Sequence, residues 1–125
     1  MSGINRGVKR VIDRRLFGTW RSDRKRTARE IRARKDFQPK KAAKLLNLFG
    51  KLEHSYTKTR CHSRLNGEVI SAKYEVVATD EESVVIVSAD RISGDSISHL
   101  HFEGSDLYWV TVGGRFREYF RRISE

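Results

Sequence analysis

Hydrophobic and polar positions follow one period up to about residue 52 and another beyond it. From Glu53 onward apolar and polar residues alternate with a period of two, the pattern of strands buried on one side. Turn-forming residues interrupt the alternation at Asn66-Gly67, Asp80 to Glu82, Gly94-Asp95, Gly104-Ser105 and Gly113-Gly114, which predicts an antiparallel meander of about six strands. Before it, Leu16 to Arg21 reads as a short strand, and two helices follow. Thr27-Ala28-Arg29-Glu30 has the form of a capping box and predicts a helix over about 28–35. Pro39 suits a first helical position and Gly50 the position just past a helix end. Between them Ala42, Leu45, Leu48 and Phe49 begin a stripe at helical spacing that reaches Leu52, predicting a helix over about 39–49. Residues 1–15 set Val8, Val11 and Ile12 among Arg6, Lys9, Arg10, Arg14 and Arg15, the pattern of a basic N-terminal arm. The chain then reads as that arm followed by a single domain over 16–125, mainly β, with about seven strands and a helix pair inserted after the first.

Two-residue loops determine which residues face each other across a hairpin. With Asn66-Gly67 as the loop, Leu65 faces Glu68, Ser63 faces Ile70, Cys61 faces Ala72, Thr59 faces Tyr74 and Thr57 faces Val76, a small or apolar face throughout. The other face pairs His62 with Ser71, Arg60 with Lys73 and Lys58 with Glu75. The same construction at Gly104-Ser105 and Gly113-Gly114 predicts an inner face of Leu100, Phe102, Leu107, Trp109, Phe116 and Phe120. It leaves His99, His101, Tyr108, Val110, Val112, Arg115, Arg117, Tyr119 and Arg121 outside. That outer side is apolar and aromatic enough to call for a dimer contact or a helix packed over it.

Composition adds a bias of charge. The 125 residues include 26 Lys and Arg against 16 Asp and Glu, a net charge of +10, and 38% are hydrophobic, enough for one core. Residues 1–51 hold 17 Lys and Arg with 4 Asp and Glu, whereas residues 52–125 hold 9 and 12, so the basicity belongs to the first part and points to a polyanionic partner. No apolar run is long enough to span a membrane or to serve as a secretory signal, and a cytoplasmic setting is expected. Cys61 is the single cysteine, which excludes an internal disulfide, a cysteine-based zinc site and a redox pair.

A strand carrying Gly18-Thr19-Trp20, followed by a helix pair and a meander ending in an aromatic and arginine-rich strand, resembles the calycin group, the lipocalins and fatty-acid-binding proteins. Leu16, Gly18, Thr19, Trp20, Ser22 and Asp23 are similar to the LxGTWxSD start of small bacterial lipocalin-like proteins. The likeness covers about residues 16–123. It implies a small antiparallel barrel whose tryptophan closes one end, with an arginine of the last strand packed across it; Arg122 matches that position. Lipocalins close with eight strands and fatty-acid-binding proteins with ten, so seven strands imply a narrow or incomplete barrel.

Glu118 and Arg122 share the inner parity, which sets a carboxylate and a guanidinium in an apolar enclosure where each needs a partner. The two read as a polar handle for a ligand, as an internal ion pair, or with Arg122 stacked on Trp20. His99 and His101 share an outward face but bring no third metal ligand, so no metal or other cofactor is implied. Cys61 reads as a small inner-face residue, and with neither a nucleophile elbow nor a phosphate-cradling loop in the chain no catalytic residue is nominated. His54, Tyr56, Lys58, Arg60, His62 and Arg64 share one face of a single predicted strand, with Lys73 opposite Arg60. Such mixtures of cations and aromatics bind single-stranded nucleic acid. Two functions follow. The first is a noncatalytic binding protein for a small apolar ligand, held by Trp20, Tyr74, Val76, Phe102, Trp109, Phe116, Glu118, Phe120 and Arg122. The alternative is a module for nucleic acid or another polyanion centred on Lys58, Arg60 and Lys73. A homodimer joined through the apolar outer strands is a third, structural reading.

Overall fold

A computed structural model describes residues 11–34, 40, 44, 49–90, 94–112 and 115–125. Eight strands follow in chain order: β1 (Gly18–Ser22), β2 (Glu53–Tyr56), β3 (Arg60–Leu65), β4 (Glu68–Thr79), β5 (Ser83–Asp90), β6 (Gly94–Phe102), β7 (Leu107–Val112) and β8 (Phe116–Ser124). Each pairs antiparallel with the next, and β8 returns to β1, so the sheet closes into a barrel. Among the described residues one α-helix, α1 (Arg24–Arg32), follows β1, and a 3-10 turn over Arg14–Leu16 precedes it. Most of the helix expected over 39–49, and residues 1–10 of the expected arm, lie outside the described residues.

The eighth strand comes from a turn that composition conceals. Residues 54–64 were expected as one strand, but the chain reverses at Lys58-Thr59, so that Glu53 pairs with Arg64 and Tyr56 with Cys61. No Gly, Pro, Asn or Asp marks the reversal. The Thr57 hydroxyl takes that part, accepting from the Arg60 amide at 3.2 Å, while the Thr57 amide donates to the Arg60 carbonyl at 2.9 Å. The next hairpin keeps the expected register, with Leu65 opposite Glu68, Ser63 opposite Ile70, Cys61 opposite Ala72 and Arg60 opposite Lys73. Asn66 and Gly67 both adopt the positive φ that such a turn requires.

Two later hairpins each have one loop residue more than expected. Phe102 pairs with Tyr108 and Val112 with Phe116, which makes three-residue loops of 104–106 and 113–115. A slip of one residue moves a strand's whole side-chain set to the other face. The two slips cancel across β7, so β6 and β8 keep their expected inner faces and β7 alone is turned over. Tyr108, 1% exposed, therefore sits inside. Trp109 sits outside, its ring stacked 3.9 Å from that of His101 and its other side covered by the Arg117 guanidinium at 3.9 Å.

Helix α1 starts three residues before the expected capping box, because Asp23 is the cap and accepts from the Arg26 amide at 3.1 Å. Thr27 is freed to accept from the Tyr119 amide at 3.0 Å, and the Arg26 guanidinium covers the Tyr119 ring. The helix thus lies over the outer face of β8. Ala28 and Ile31 meet Phe49 and Phe116 in a small apolar cluster at the barrel end where β1 finishes and β8 begins.

The opposite end is shut. Leu16, Trp20, Phe102, Tyr108 and Phe120 pack there, and the Trp20 indole donates to the Leu16 carbonyl at 2.9 Å. The Arg122 guanidinium lies 4.2 Å over the Trp20 ring and donates to the carbonyls of Phe17, Arg15 (2.9 Å) and Ser105 (3.1 Å). Arg15 completes the plug by bonding Asp13 at 2.6 Å and the carbonyls of Asp80 and Glu81 in the β4–β5 turn. Replacing Arg122 with Met leaves those carbonyls without donors, and urea unfolding should register a loss of about 3 kcal/mol. Asp106, the exposed carboxylate 3.3 Å from Arg122, should matter far less, Asp106→Asn costing under about 1 kcal/mol.

A candidate ligand cavity

Between the shut end and the helical end the barrel encloses a cavity of about 930 Å³. The inward parity of the strands supplies its walls: Leu52, Ile70, Ile86, Leu100, Val110 and Phe120 give apolar surface, and Ser63, Ser88, Ser96 and Ser98 give hydroxyls. Its floor is Tyr108, stacked on Phe120 with centroids 5.0 Å apart and set edge-on to Trp20 at 4.7 Å. Tyr56, His54 and Cys61 stand beside that floor. The mouth lies among Ile70, Ala89 and Ser96, all exposed. The β6–β7 ladder beside it holds two pairs among the described residues, His101 with Trp109 and Phe102 with Tyr108. Ser96, Ser98 and Val110 line the cavity on these two strands, and Ile97 of β6 is 75% exposed.

Of the nine residues expected to hold a ligand, Glu118 and Phe120 line the cavity. Trp20 and Phe102 lie under its floor, Tyr74 and Val76 belong to the surrounding core, and Phe116 packs beneath α1. Trp109 faces outward, and Arg122 is committed to Trp20 and the backbone rather than to Glu118. Glu118 instead accepts from the Ser22 hydroxyl at 3.0 Å, which itself accepts from the Gly50 amide at 3.1 Å. Lys58 sits in the β2–β3 turn, while Arg60 and Lys73 pair across β3 and β4 and both border the cavity. The aromatic members of the expected basic surface, His54 and Tyr56, point into the barrel. These two and Tyr108 are among the lining residues that the pattern of the chain did not nominate. One signal was present: the inner parity passes from even residues at Leu52, His54 and Tyr56 to odd residues at Cys61 and Ser63, which one continuous strand cannot do.

Five titratable groups on the cavity wall are driven toward their uncharged forms by loss of water. Burial pushes the His54 imidazole down to about 4, lifts the Cys61 thiol and the Glu118 carboxyl, and lifts the Tyr56 and Tyr108 phenols. His54 Nδ1 lies 2.9 Å from the Ser63 hydroxyl and 4.0 Å from the Cys61 sulfur. With the thiol raised and the imidazole lowered, the pair is held as thiol and neutral ring, the unreactive state. Among the described residues no three His, Cys, Asp or Glu side chains converge as a metal site requires, and no helix is long and apolar enough to cross a membrane.

Comparison with known protein families, curated proteins and solved structures found no match for this chain. The barrel itself, eight antiparallel strands in sequential order around a closed ring, is compatible with a lipocalin-like fold.

The lowered His54 pKa links stability to pH. The unfolded imidazole takes up its proton near 6.5 and the folded one near 4, so the stabilisation is complete above 6.5 and is lost as pH falls between the two, by on the order of 3 kcal/mol. His101, also lowered, acts in the same sense, and the raised Glu118 acts in the opposite one. The difference between wild type and His54→Gln isolates the contribution: urea midpoints measured from neutral pH down to about 4.5 should fall more steeply for wild type.

Proposed function

We propose that the protein is a noncatalytic, lipocalin-like carrier or sensor for a small, mainly apolar ligand held inside the barrel. The observation that carries this is the cavity of about 930 Å³, at the upper end of the roughly 300–1,000 Å³ typical of small-molecule sites. A chain with enough aromatic residues to fill its barrel has placed several of them elsewhere: Trp109 outside, Phe116 under the helix, Trp20 and Phe102 in the shut end. Binding in place of catalysis accords with the lining, where no acid, base or nucleophile is activated. The tryptophan–arginine closure at Trp20 and Arg122 adds the feature that the resemblance to the calycin group implied. A polyanion surface on Lys58, Arg60 and Lys73 has less behind it, since its aromatic platform of His54 and Tyr56 faces the cavity.

An uncharged fluorophore such as phenylnaphthylamine reports the cavity directly. Its emission should rise on addition of the protein and saturate at one molecule per chain. Ser98→Phe, which fills space beside Leu100, should weaken uptake at least about tenfold, whereas Lys58→Glu and added salt should leave it unchanged. No saturable uptake by the folded protein overturns the carrier reading.

A further inference from the structure

Strand β4 outruns its neighbour on one side. Its pairing with β3 begins at Glu68, opposite Leu65, whereas its pairing with β5 begins at Tyr74, opposite Ser88. Among the described residues, 68–73 therefore pair with β3 alone. The two-residue turn at Asn66-Gly67 makes Leu65 and Glu68 a hydrogen-bonded pair, and bonded pairs then alternate along the ladder. Glu68, Ile70 and Ala72 bond to β3, a series that the Tyr74 amide continues by donating to the Thr59 carbonyl at 3.1 Å. Val69, Ser71 and Lys73, all exposed, turn their N–H and C=O groups the other way. A strand that walls a cavity presents every second residue to it. Here Ile70, Ser71, Ala72 and Lys73 border the cavity in succession, as do Ser88 and Ala89 at the end of β5, so the cavity opens past the bare edge of β4. Such edges are usually short, charged or covered, yet this one carries Val69 and Ile70 at 52% and 65% exposure.

We propose that the edge of β4 over residues 68–73 is a docking site for an extended, acidic segment of another protein, which adds antiparallel as a further strand across the mouth of the cavity. Backbone groups of Val69, Ser71 and Lys73 give such a segment its hydrogen bonds, and the side chains beside them set its chemistry. On the outward parity β3 carries Arg60, His62 and Arg64, and β4 carries Val69, Ser71, Lys73 and Glu75. Arg60, Arg64 and Lys73 make no ion pair among the described residues. Arg60 stands directly opposite Lys73, a repulsion that an anion beside them relieves. The added strand sets alternate side chains next to Val69, Ser71 and Lys73, where carboxylates fit. Those between them fall beside Ile70 and Ala72 over the cavity, where apolar groups lose water. A second copy of this chain, itself carrying +10, would add cations to the same row. This docking site goes beyond the carrier function and does not depend on it.

The test is the fluorescence anisotropy of a fluorescein-labelled heptapeptide of alternating Glu and Val, with Glu at both ends, titrated with the full chain at neutral pH. The peptide should bind saturably, and the same peptide with Lys in place of Glu should bind at least about tenfold more weakly. Lys73→Glu, an exposed change, should weaken the acidic peptide by a similar factor and strengthen the basic one. Antiparallel addition directs the Glu amides of the peptide toward β4 and the Val amides away. N-methylation of the Glu amides should therefore cost at least about tenfold, and N-methylation of the Val amides should be tolerated. No saturable binding overturns the proposal, as does equal binding of the two methylated peptides or the reverse preference. Displacement of the peptide by oligothymidylate as readily as by its own unlabelled form also overturns it and assigns the row of cations to nucleic acid. Uptake of phenylnaphthylamine tests the carrier separately, so that either conclusion can fail while the other stands.

Discussion

The Arg122 guanidinium on the face of Trp20 is the contact on which the closed barrel depends. A buried cation is costly unless its donors are satisfied, and here carbonyl dipoles and a π face do that work in place of a buried carboxylate. The carbonyls come from Arg15, Phe17 and Ser105, so one side chain of β8 fastens the segment before β1 and the β6–β7 loop. Gly18 is required beside it: its φ of +116° suits no other residue, and a Cβ there would lie 2.8 Å from the guanidinium and closer still to the Ser124 carbonyl oxygen. Trp20 is thereby fixed, Tyr108 rests on its edge, and the cavity gains a rigid floor.

The same arrangement accounts for the electrostatics of the interior. With Arg122 facing away from the cavity, desolvation is the largest influence on each of its buried titratable groups. Acids and phenols rise, the His54 imidazole falls, and all of them converge on neutrality. A chain of net charge +10 thus surrounds a cavity whose buried acid, phenols and imidazole are driven toward their uncharged forms, with Arg60 and Lys73 on its border.

Recognition of the fold and recognition of the site separated at particular residues. Asn66-Gly67 is a turn whose backbone conformation follows from the residues themselves, so the pairing of Cys61 with Ala72 and Arg60 with Lys73 could be read directly. Thr57-Lys58-Thr59-Arg60 carries no such residue, and its turn forms because a hydroxyl and two strand ends come together in the folded barrel. That single turn separates a face of six polar residues on one imagined strand from a hairpin whose first strand sends His54 and Tyr56 inside. Loop length did the rest. Gly104-Ser105 and Gly113-Gly114 are compatible with loops of two or three residues, and the choice of three exchanged Trp109 for Tyr108 as the residue within.

The chain by itself determined the class of fold, the strand after which a helix is inserted, and the inner parity of β3, β4, β6 and β8, because alternation and turn chemistry are local properties, while the placing of Arg122 near Trp20 was implied by the resemblance to the calycin group. The tertiary structure decided that the sheet closes with eight strands, that the closure leaves space, and which side chains border it. These depend on how far each loop carries the chain before it pairs again. A difference of one residue there reverses a strand's faces, and its energy is settled by contacts among distant segments rather than by the loop's own residues.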